Sequence, residues 1–491
     1  MILPSFIIIP LLATFIITLI AGKKDGWAIV ISLIAVSSLF ILSLFAFFAM
    51  GSQTVTYSMG NWPVPYGIVL VLDAFTSFML TMVSLISLNS LLFSIQYIRH
   101  LSMDWKYYAL FMLLLSGMNG VIITGDLFNL FVFMEIALLA AFALVAYGSR
   151  AEEFEAAFKY AVMGSVSSSI ILVGIAVTYS ATSTLTMAKI AEILPRKDPL
   201  ILLWVGGLFM AGFGLKAAAM PFHAWLPDAH SSAPAPISSM LSGVLIKALG
   251  IYALIRIFFN VLGAPLIFMQ IFMVMGVVSI IIGVFLAIAQ WDMKRLLAYH
   301  SISQIGYILL GMGLATPLGI IGAVYHLFNH ALFKSLLFYN AGAVEMALGT
   351  RDLKRMGNLS KLLPVTSQTS MVASLSIAGI PPFNGFFSKL VIIIAAIQAG
   401  QPILAFLAVI GSILTLASFM KVQRYGFRGE REMEKVKTKI GWSMNLAMIT
   451  IAVLCLITSI LIIPGIKEIT LDPVMTVIMN KADYIQLVMG R

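Results

Sequence analysis

The sequence places ionisable side chains inside long apolar runs. Glu135 lies near the middle of one run, Lys216 lies just before a proline-interrupted stretch, and Lys247 is central in the following run. A charge at the centre of a bilayer costs about 2.5–3.5 kcal/mol on insertion scales. Such residues need a partner, a water-filled cavity or both, and this pattern is typical of a proton pathway.

A second group of ionisable residues follows the first. His326, His330 and Lys334 are spaced i, i+4, i+8 and share one face of a helix, and Lys389 follows a second proline-interrupted stretch. Histidine, with an unperturbed pKa of about 6.5, suits a proton relay. The alternatives are satisfied core histidines, haem ligation by the two histidines, and lysines that reach a helix end by snorkelling. A zinc helix is disfavoured because no Glu follows the first histidine.

One acid among several lysines predicts that Glu135 pairs with Lys216. The proton affinity of a buried lysine depends on whether a carboxylate is near. Moving that partner would therefore load or release a proton, and Lys247, His330 and Lys389 would pass protons laterally through water. A purely structural ion pair is the alternative for Glu135 and Lys216.

The composition is that of a lipid-embedded protein. Of the 491 residues, 61% are hydrophobic and 10% are charged, whereas soluble domains carry about a quarter charged residues. Cys455 is the sole cysteine of the sequence, which excludes an internal disulfide, a cysteine-ligated zinc site and a cysteine-ligated iron–sulfur cluster. The net charge of +10 comes largely from short loops, which indicates membrane topology rather than nucleic-acid binding.

The apolar runs predict about fourteen membrane-spanning helices, since each span needs about 20 residues. The runs lie near 2–21, 27–50, 68–97, 107–125, 127–148, 157–180, 200–221, 237–259, 265–289, 295–314, 318–343, 362–398, 403–423 and 441–464. Asp73 and Asp126 fall at expected helix starts, where a carboxylate favours the helix dipole.

Loop charge predicts the topology. Uncharged loops at 51–66, 260–265, 315–317 and 399–402 alternate with basic loops, which contain Lys23 and Lys24, Arg99 and Lys106, Lys294 and Arg295, Arg351, Lys354 and Arg355, and the run from Lys421 to Lys439. The positive-inside rule places the basic set in the cytoplasm and both termini outside the cell membrane. The acidic loop expected at 149–157 and the basic loop near 189–198 fit this pattern less well.

Two interrupted runs suggest an internal repeat. One begins Gly-Leu-Lys-Ala-Ala-Ala-Met-Pro-Phe-His at Gly214, and the other begins Ala-Gly-Ile-Pro-Pro-Phe-Asn-Gly at Ala378. They are spans seven and twelve, so the repeat would be inverted. We expect an all-α membrane protein with an N-terminal three-helix region, a first five-helix repeat, a second inverted five-helix repeat, and a C-terminal helix with a tail, at residues 1–106, 107–259, 265–423 and 424–491. Two unrelated proline kinks are the alternative.

Three long motifs resemble those of the antiporter-like proton-translocating subunits. They are the segment from Phe213 to Pro236, Leu-Ile-Lys-Ala-Leu-Gly-Ile-Tyr-Ala-Leu-Ile-Arg from Leu245, and His-Leu-Phe-Asn-His-Ala-Leu-Phe-Lys from His326. This family includes Mrp-type cation/proton antiporters, membrane-bound hydrogenases, sulfur-reducing complexes and the pump subunits of NADH:quinone oxidoreductase. Within it, the chain is similar to the D-type component of Mrp antiporters and to the large antiporter-like component, of H type, of hydrogenase and sulfane-reductase complexes.

The resemblance implies roles in a proton pathway. Together with Lys334, which the spacing adds, the predicted pathway, called the polar row below, consists of Glu135, Lys216, Lys247, His326, His330, Lys334 and Lys389. The implied partners are other membrane subunits of a Mrp-type or hydrogenase-type complex, with protons and, as a second candidate, sodium as the transported ions. No cofactor, metal or nucleic acid is expected.

Three functional classes are compatible with the sequence. The first is an ion-translocating subunit of a larger complex, which the charged residues favour and which would have no redox centre of its own. The second is a stand-alone transporter of a small solute, which would be active as an isolated chain. The third is a redox subunit that binds quinone, haem or metal, which would show a bound chromophore.

Overall fold

The described chain is helical throughout, apart from one small hairpin. The computed structural model describes residues 2–20, 25–51, 53–101, 105–429 and 438–490. The helices up to the middle of the chain are α1 (Ile2–Ile20), α2 (Asp25–Met50), α3 (Ala74–Leu101), α4 (Trp105–Ile123), α5 (Leu127–Val145), α6 (Ala151–Thr182), α7 (Met187–Ile193), α8 (Pro199–Lys216), α9 (Leu226–Ser232), α10 (Ala235–Met240) and α11 (Ala253–Ile255). They are followed by α12 (Leu266–Ala289), α13 (Met293–Gly313), α14 (Pro317–Leu348), α15 (Leu359–Leu362), α16 (Pro364–Ala378), α17 (Asn384–Gln398), α18 (Pro402–Val422), α19 (Trp442–Ile457), α20 (Ile466–Met479) and α21 (Lys481–Met489).

Helices α10 and α11 belong to one continuous helix, Ala235–Val261, which is buried along its whole length and is called the central helix below. Its remaining turns are largely π-helical, at Leu241–Leu245, Lys247–Tyr252 and Arg256–Val261. Such turns are rare and are frequently found at functional sites.

The apolar runs predicted a membrane protein, and the described part of the chain contains eleven helices that are long and apolar enough to cross a bilayer. Helices α13 and α14 have 21 and 32 residues and are less apolar. Almost all of their side chains are buried, so these two helices pack against protein rather than lipid. Burial of this kind allows polar side chains at membrane depth.

A two-stranded hairpin corrects the prediction of a single span over 68–97. Strand β1 (Val55–Ser58) pairs antiparallel with β2 (Val69–Leu72), and α3 begins only at Ala74. Asp73 starts this helix as predicted, because its Oδ1 accepts a 2.8 Å hydrogen bond from the backbone N–H of Thr76. The β-branched and leucine residues at 69–72 complete a strand where hydropathy alone suggested a helix.

The acidic segment expected as a loop at 149–157 is instead mostly the first turns of α6, which begins at Ala151. The backbone N–H of Arg150 donates a 2.6 Å hydrogen bond to Oε2 of Glu153. Acidic side chains favour a helix N-terminus, so these carboxylates start the helix.

The basic loops lie together on one face of the molecule, called the basic face, as the charge pattern predicted. A cavity of about 530 Å³ there is lined by residues from six connections, among them His100, Ser149, Pro234, Lys294, Gly349 and Thr438. Lys23 and Lys24, which also belong to the predicted basic set, lie outside the described residues, as does part of the run from Lys421 to Lys439.

The opposite face, called the tail face, carries the hairpin and the C-terminal helices. Thr186, before α7, donates a 3.2 Å hydrogen bond from Oγ1 to the carbonyl of Pro65 in the hairpin loop. Asn260, at the end of the central helix, donates a 2.8 Å hydrogen bond from Nδ2 to the carbonyl of Val477 in α20. The C-terminal helices therefore pack onto the end of the central helix.

The two runs predicted to be interrupted, at 200–221 and 362–398, are both broken in the interior. Helix α8 ends at Lys216, Ala218 has a φ of 53°, and α9 begins only at Leu226. Helix α16 ends at Ala378, and Gly379 has a φ of 77° before α17 begins. A positive φ ends a helix and frees carbonyls for side-chain donors.

Candidate functional site

Lys216 and Glu135 are joined through a serine. Lys216 Nζ donates hydrogen bonds of 2.8 Å to the carbonyl of Gly164 and 2.9 Å to Oγ of Ser168. The hydroxyl of Ser168 in turn donates a short hydrogen bond to Oε1 of Glu135. Three helices, α5, α6 and α8, thus contribute one group each. A hydroxyl can both donate and accept, so this bridge links the acid and the base by a path that a proton can follow.

A small cavity lies between Lys216 and the central helix. It has a volume of about 10 Å³ and is lined by Lys216, Tyr160, Trp225 and, from the central helix, Ile246 and Leu249. A volume of about 10–15 Å³ accommodates one water molecule. The gap between Lys216 and the residues beside Lys247 is therefore of a size that one water could bridge.

Lys247 lies in the π-helical part of the central helix and is completely buried. Its Nζ donates two 2.6 Å hydrogen bonds, to the carbonyls of Ser242 and Gly243. A Cβ on Gly243 would lie only 2.5 Å from Oγ of Ser335 on α14. The glycine thus lets the central helix approach α14 closely, five residues after His330.

Helix α14 presents His326, His330 and Lys334 to the interior. The imidazole rings of His326 and His330 are nearly parallel, with centroids 6.3 Å apart. Among the described residues, neither ring nitrogen of His330 has a hydrogen-bond partner. Lys334 donates a short hydrogen bond to the carbonyl of Leu297 on α13. Buried polar atoms without protein partners are normally satisfied by ordered water, so this interior suits a hydrated path.

Lys389 completes this group from α17. Its Nζ donates a 2.7 Å hydrogen bond to the carbonyl of Ile377, at the end of α16. The same Nζ lies 4.7 Å from the centre of the Tyr307 ring, and the Tyr307 ring lies 5.4 Å from that of His326. Ser388, next to Lys389, is 3.0 Å from Nδ1 of His326 through its Oγ. A cavity of about 260 Å³ opens beside Lys389.

The predicted residues are therefore gathered in the interior rather than scattered toward lipid. Lys216 and Lys389 are 4% and 2% exposed, while Glu135 is half-buried. Lys247, His326, His330 and Lys334 are completely buried. The alternative that Lys334 and Lys389 snorkel to helix ends is wrong, because both ammonium groups bind carbonyls inside the protein.

The structure also buries ionisable residues outside the polar row. Arg256 pairs with Asp73, and Lys294 pairs with Glu345, at distances of 2.8 and 2.7 Å. His230 and His300 are fully buried as well. Arg256 and His300 lie inside predicted spans, so the criterion that selected Lys247 would have found both. Ser168 showed only the weaker signal of a serine-rich stretch in the sixth run.

The sequence matches a known protein family. Residues 124–415 match the family model described as NADH:quinone oxidoreductase/Mrp antiporter, transmembrane. The chain is 35% identical to the D component of the Na(+)/H(+) antiporter of Alkalihalophilus pseudofirmus, over 89% of this chain and 90% of the relative. It is 37% identical to the N component of the NADH-quinone oxidoreductase of Desulforudis audaxviator, over 74% of each.

Two solved assemblies contain chains of the same fold. One is the Mrp complex of a Dietzia species, with a TM-score of 0.91 and 27% identity over 99% of both chains. The other is the membrane-bound sulfane sulfur reductase, an archaeal respiratory membrane complex, with a TM-score of 0.91 and 29% identity over 99% of both chains. The chain belongs to the family of transmembrane subunits shared by NADH:quinone oxidoreductases and Mrp antiporters.

Proposed function

We propose that this chain is a proton-translocating membrane subunit of a multisubunit complex, and that protons move along the polar row. The observation that carries the proposal is the serine-bridged connection of Glu135 to Lys216 beside a series of buried cations. Four ionisable side chains of the row are at most 2% exposed on α14 and the central helix. Charged side chains are costly to bury within a membrane, and those that occur there usually take part in function.

The geometry supports transfer in steps. Ser168 couples Glu135 to Lys216, so a change at Glu135 alters how firmly Lys216 holds its proton. The cavity beside Lys216 leads toward Lys247. From there His330 and His326 offer titratable nitrogens toward Lys389, which borders the cavity at the second break. Each step joins groups that can both take up and release a proton, and histidine is well suited to this exchange.

We also propose fourteen spans with two inverted five-helix repeats, divided at the boundaries drawn from the sequence. Fourteen results when α13, α14 and the broken segment of α16 and α17 are added to the eleven apolar helices. The two broken segments support the inversion. Helix α8 begins near the tail face, after the loop in which Thr186 binds Pro65. Helix α16 begins at the opposite face, where Pro364 and Lys439 line one cavity.

The tail face is proposed to lie outside the cell, with both termini on it. The gathering of basic loops on the other face supports this orientation through the positive-inside rule. Near its start, α1 accepts a 2.9 Å hydrogen bond from Nδ2 of Asn119 at the Phe6 carbonyl. Asn119 precedes Thr124, which pairs with Leu70 of the hairpin. The N-terminal helix therefore starts at the same face as the C-terminal helices.

The partners are proposed to be other membrane subunits, because the chains that share this fold belong to a Mrp complex and to a sulfane sulfur reductase. In either setting this protein would carry ions without a redox centre of its own. Sodium/proton exchange and redox-driven pumping remain the two modes of coupling. Purifying the complex and identifying its subunits separates them, since a redox module identifies the second.

The test replaces charges in the native complex and measures proton movement in membrane vesicles with a pH-sensitive dye. We expect Lys216→Ala to abolish transport and Glu135→Gln to reduce it at least about tenfold, with assembly unchanged. The control is Glu155→Gln, because Glu155 is an exposed acid on α6. Transport at the wild-type rate in Lys216→Ala would exclude the proposed pathway.

A further inference from the structure

The tail face contains an acidic vestibule directly above the end of the central helix. Its volume is about 530 Å³, and its lining includes the carboxylates of Asp73, Glu468, Asp472 and Asp483. Three of these belong to α20 and α21, the C-terminal helices to which the sequence assigned no role. Carboxylates lining a cleft raise the local concentration of protons and other cations.

The floor of this vestibule is the ion pair between Asp73 and Arg256. Arg256 NH1 lies 2.8 Å from Oδ2 of Asp73, and NH2 donates a 2.9 Å hydrogen bond to Oδ1. Both side chains are at most 3% exposed. Arg256 lies nine residues, or about two helical turns, after Lys247 on the central helix. The pair therefore stands between the vestibule and Lys247.

Hydrogen-bond acceptors and aromatic rings surround the guanidinium of Arg256. Its remaining hydrogen bonds go to Asn260 Oδ1 at 3.0 Å, Thr76 Oγ1 at 3.1 Å and Tyr252 OH at 3.2 Å. Its CZ atom lies 5.3 Å from the ring centres of Phe75, Tyr252 and Tyr484. An arginine donates hydrogen bonds, accepts none and keeps its proton in proteins. A proton cannot be relayed through such a group.

We propose that Asp73 and Arg256 form a permanent seal that keeps protons in the vestibule from reaching Lys247, and that α20 and α21 hold it closed. This inference rests on the proposed proton pathway. Tyr484 covers the guanidinium from α21, and Asn260, which binds Arg256, also donates to the Val477 carbonyl of α20. The C-terminal helices therefore help to prevent protons from leaking along the central helix between the vestibule and Lys247.

The pair at the other end of the central helix differs in kind. Lys294 and Glu345 border the cavity on the basic face, and the side chain of Glu345 is 22% exposed. The Asp73 side chain is only 1% exposed and is paired with an arginine, which keeps its proton, whereas the more exposed Glu345 is paired with a lysine, which can release one. Protons can therefore enter or leave the polar row at the basic face when the Lys294–Glu345 pair titrates. The Asp73–Arg256 pair blocks their entry from the vestibule.

The first test measures passive proton leak in vesicles that hold the assembled complex without its driving reaction. We expect Arg256→Gln to speed the collapse of an imposed pH gradient about tenfold, and Lys247→Leu in the same background to remove the extra leak. Asp472→Asn, on the vestibule wall, should leave the leak unchanged. If Arg256→Gln fails to assemble, Tyr484→Leu is measured instead and should leak several-fold. A wild-type leak rate in the assembled variant would overturn the seal.

The second test uses thiol accessibility, because Cys455 is buried and gives little background. Leu249→Cys lies two turns before Arg256 on the central helix. With Arg256 present, it should not react with a charged methanethiosulfonate added at the tail face, and with Arg256→Gln it should. Reaction with Arg256 in place would contradict the seal. The accessibility result does not depend on proton transport. Wild-type transport in Lys216→Ala would contradict the proposed pathway but would not change the accessibility of Leu249→Cys.

Discussion

Lys216 Nζ donates a 2.9 Å hydrogen bond to Oγ of Ser168, so the coupling of this lysine to Glu135 passes through a hydroxyl. Ser168→Ala removes that bridge without changing either charge. A hydrogen bond to a charged group contributes about 1.5–3 kcal/mol. We therefore expect Ser168→Ala to slow proton transport about tenfold or more, measured with a pH-sensitive dye in membrane vesicles.

The neighbouring serine is the matched control for this prediction. Ser167 is also buried, but its Oγ donates a 2.8 Å hydrogen bond to the carbonyl of Gly212 and not to the acid–base pair. Ser167→Ala should keep transport near the wild-type rate. Ser168→Thr should retain most of the activity, because it keeps the hydroxyl. Equal rates in Ser167→Ala and Ser168→Ala would mean that the bridge has no part in coupling.

Hydropathy was sufficient to predict a helical membrane protein, which has eleven helices apolar enough to span a bilayer in the described part of the chain, and to identify the buried cations. An apolar run of about 20 residues identifies a span. A lysine such as Lys247 is rare within such a run, so it can be recognised without knowledge of its contacts. Hydropathy does not separate a strand from a helix in a short apolar stretch. The sequence therefore predicts a helix where β2 forms. It also predicts a loop at the start of α6, because Glu152, Glu153 and Glu155 make that segment polar.

The partners of the buried residues could not be predicted, because they come from distant parts of the chain. Ser168 reaches Lys216 across 48 positions, and Asp73 reaches Arg256 across 183. Asp73 was correctly placed as a helix start, but no sequence pattern pairs it with Arg256. Polar residues of ordinary type, such as Ser168, acquire their importance only from tertiary contacts.

His330 allows a functional role to be separated from a structural one. Because neither ring nitrogen has a hydrogen-bond partner among the described residues, His330→Leu breaks no protein hydrogen bond. We expect unchanged thermal stability and a loss of transport of about a hundredfold, the scale of a lost proton-transfer group. The measurements are thermal unfolding in detergent and dye-monitored transport.

His300 is the comparison for His330. It is also buried, but its Nε2 lies 2.8 Å from Oγ of Ser418. His300→Leu should therefore lower the unfolding temperature, because the serine loses its partner. If His330→Leu is instead the less stable of the two and transports normally, then His330 is a packing residue and the relay does not pass through it.

Gly250 sets the distance between the central helix and the end of α8. A Cβ at Gly250 would lie 2.6 Å from the backbone N of Ala217, the residue after Lys216. Backbone atoms cannot yield as a flexible side chain can, so Gly250→Ala must push the helices apart. Overpacking of this kind costs about 1–3 kcal/mol, and we expect lower thermal stability together with slower transport.

Gly207 provides the control on α8 itself. No described heavy atom lies within 4 Å of a Cβ built there, so Gly207→Ala should leave stability equal or slightly higher, as helix propensity predicts. Were Gly250→Ala to behave like Gly207→Ala in both assays, close approach of the central helix to Lys216 would not be needed for transport.

Lys294 and Glu345 close the end of the central helix at the basic face. Lys294 Nζ lies 2.7 Å from Oε2 of Glu345 and donates a 3.1 Å hydrogen bond to the carbonyl of Ala233. The lysine side chain is 2% exposed, so Lys294→Ala leaves Glu345 without its nearest cation. Breaking one partner of a buried ion pair costs about 3–5 kcal/mol, and the partial exposure of Glu345 places this pair at the lower end.

We therefore expect Lys294→Ala to lower the unfolding temperature of the purified protein clearly, and Lys294→Ala with Glu345→Gln to recover part of the loss. The recovery follows because Lys294→Ala leaves the Glu345 carboxylate with only the 3.8 Å contact to Arg351, and the double variant removes that poorly compensated charge. Lys159→Ala is the control, since Lys159 pairs with Glu155 and Asp228 in an exposed position and should change stability little. No recovery in the double variant would show that Lys294 stabilises this end through its hydrogen bond to the Ala233 carbonyl, and that its ion pair with Glu345 contributes little.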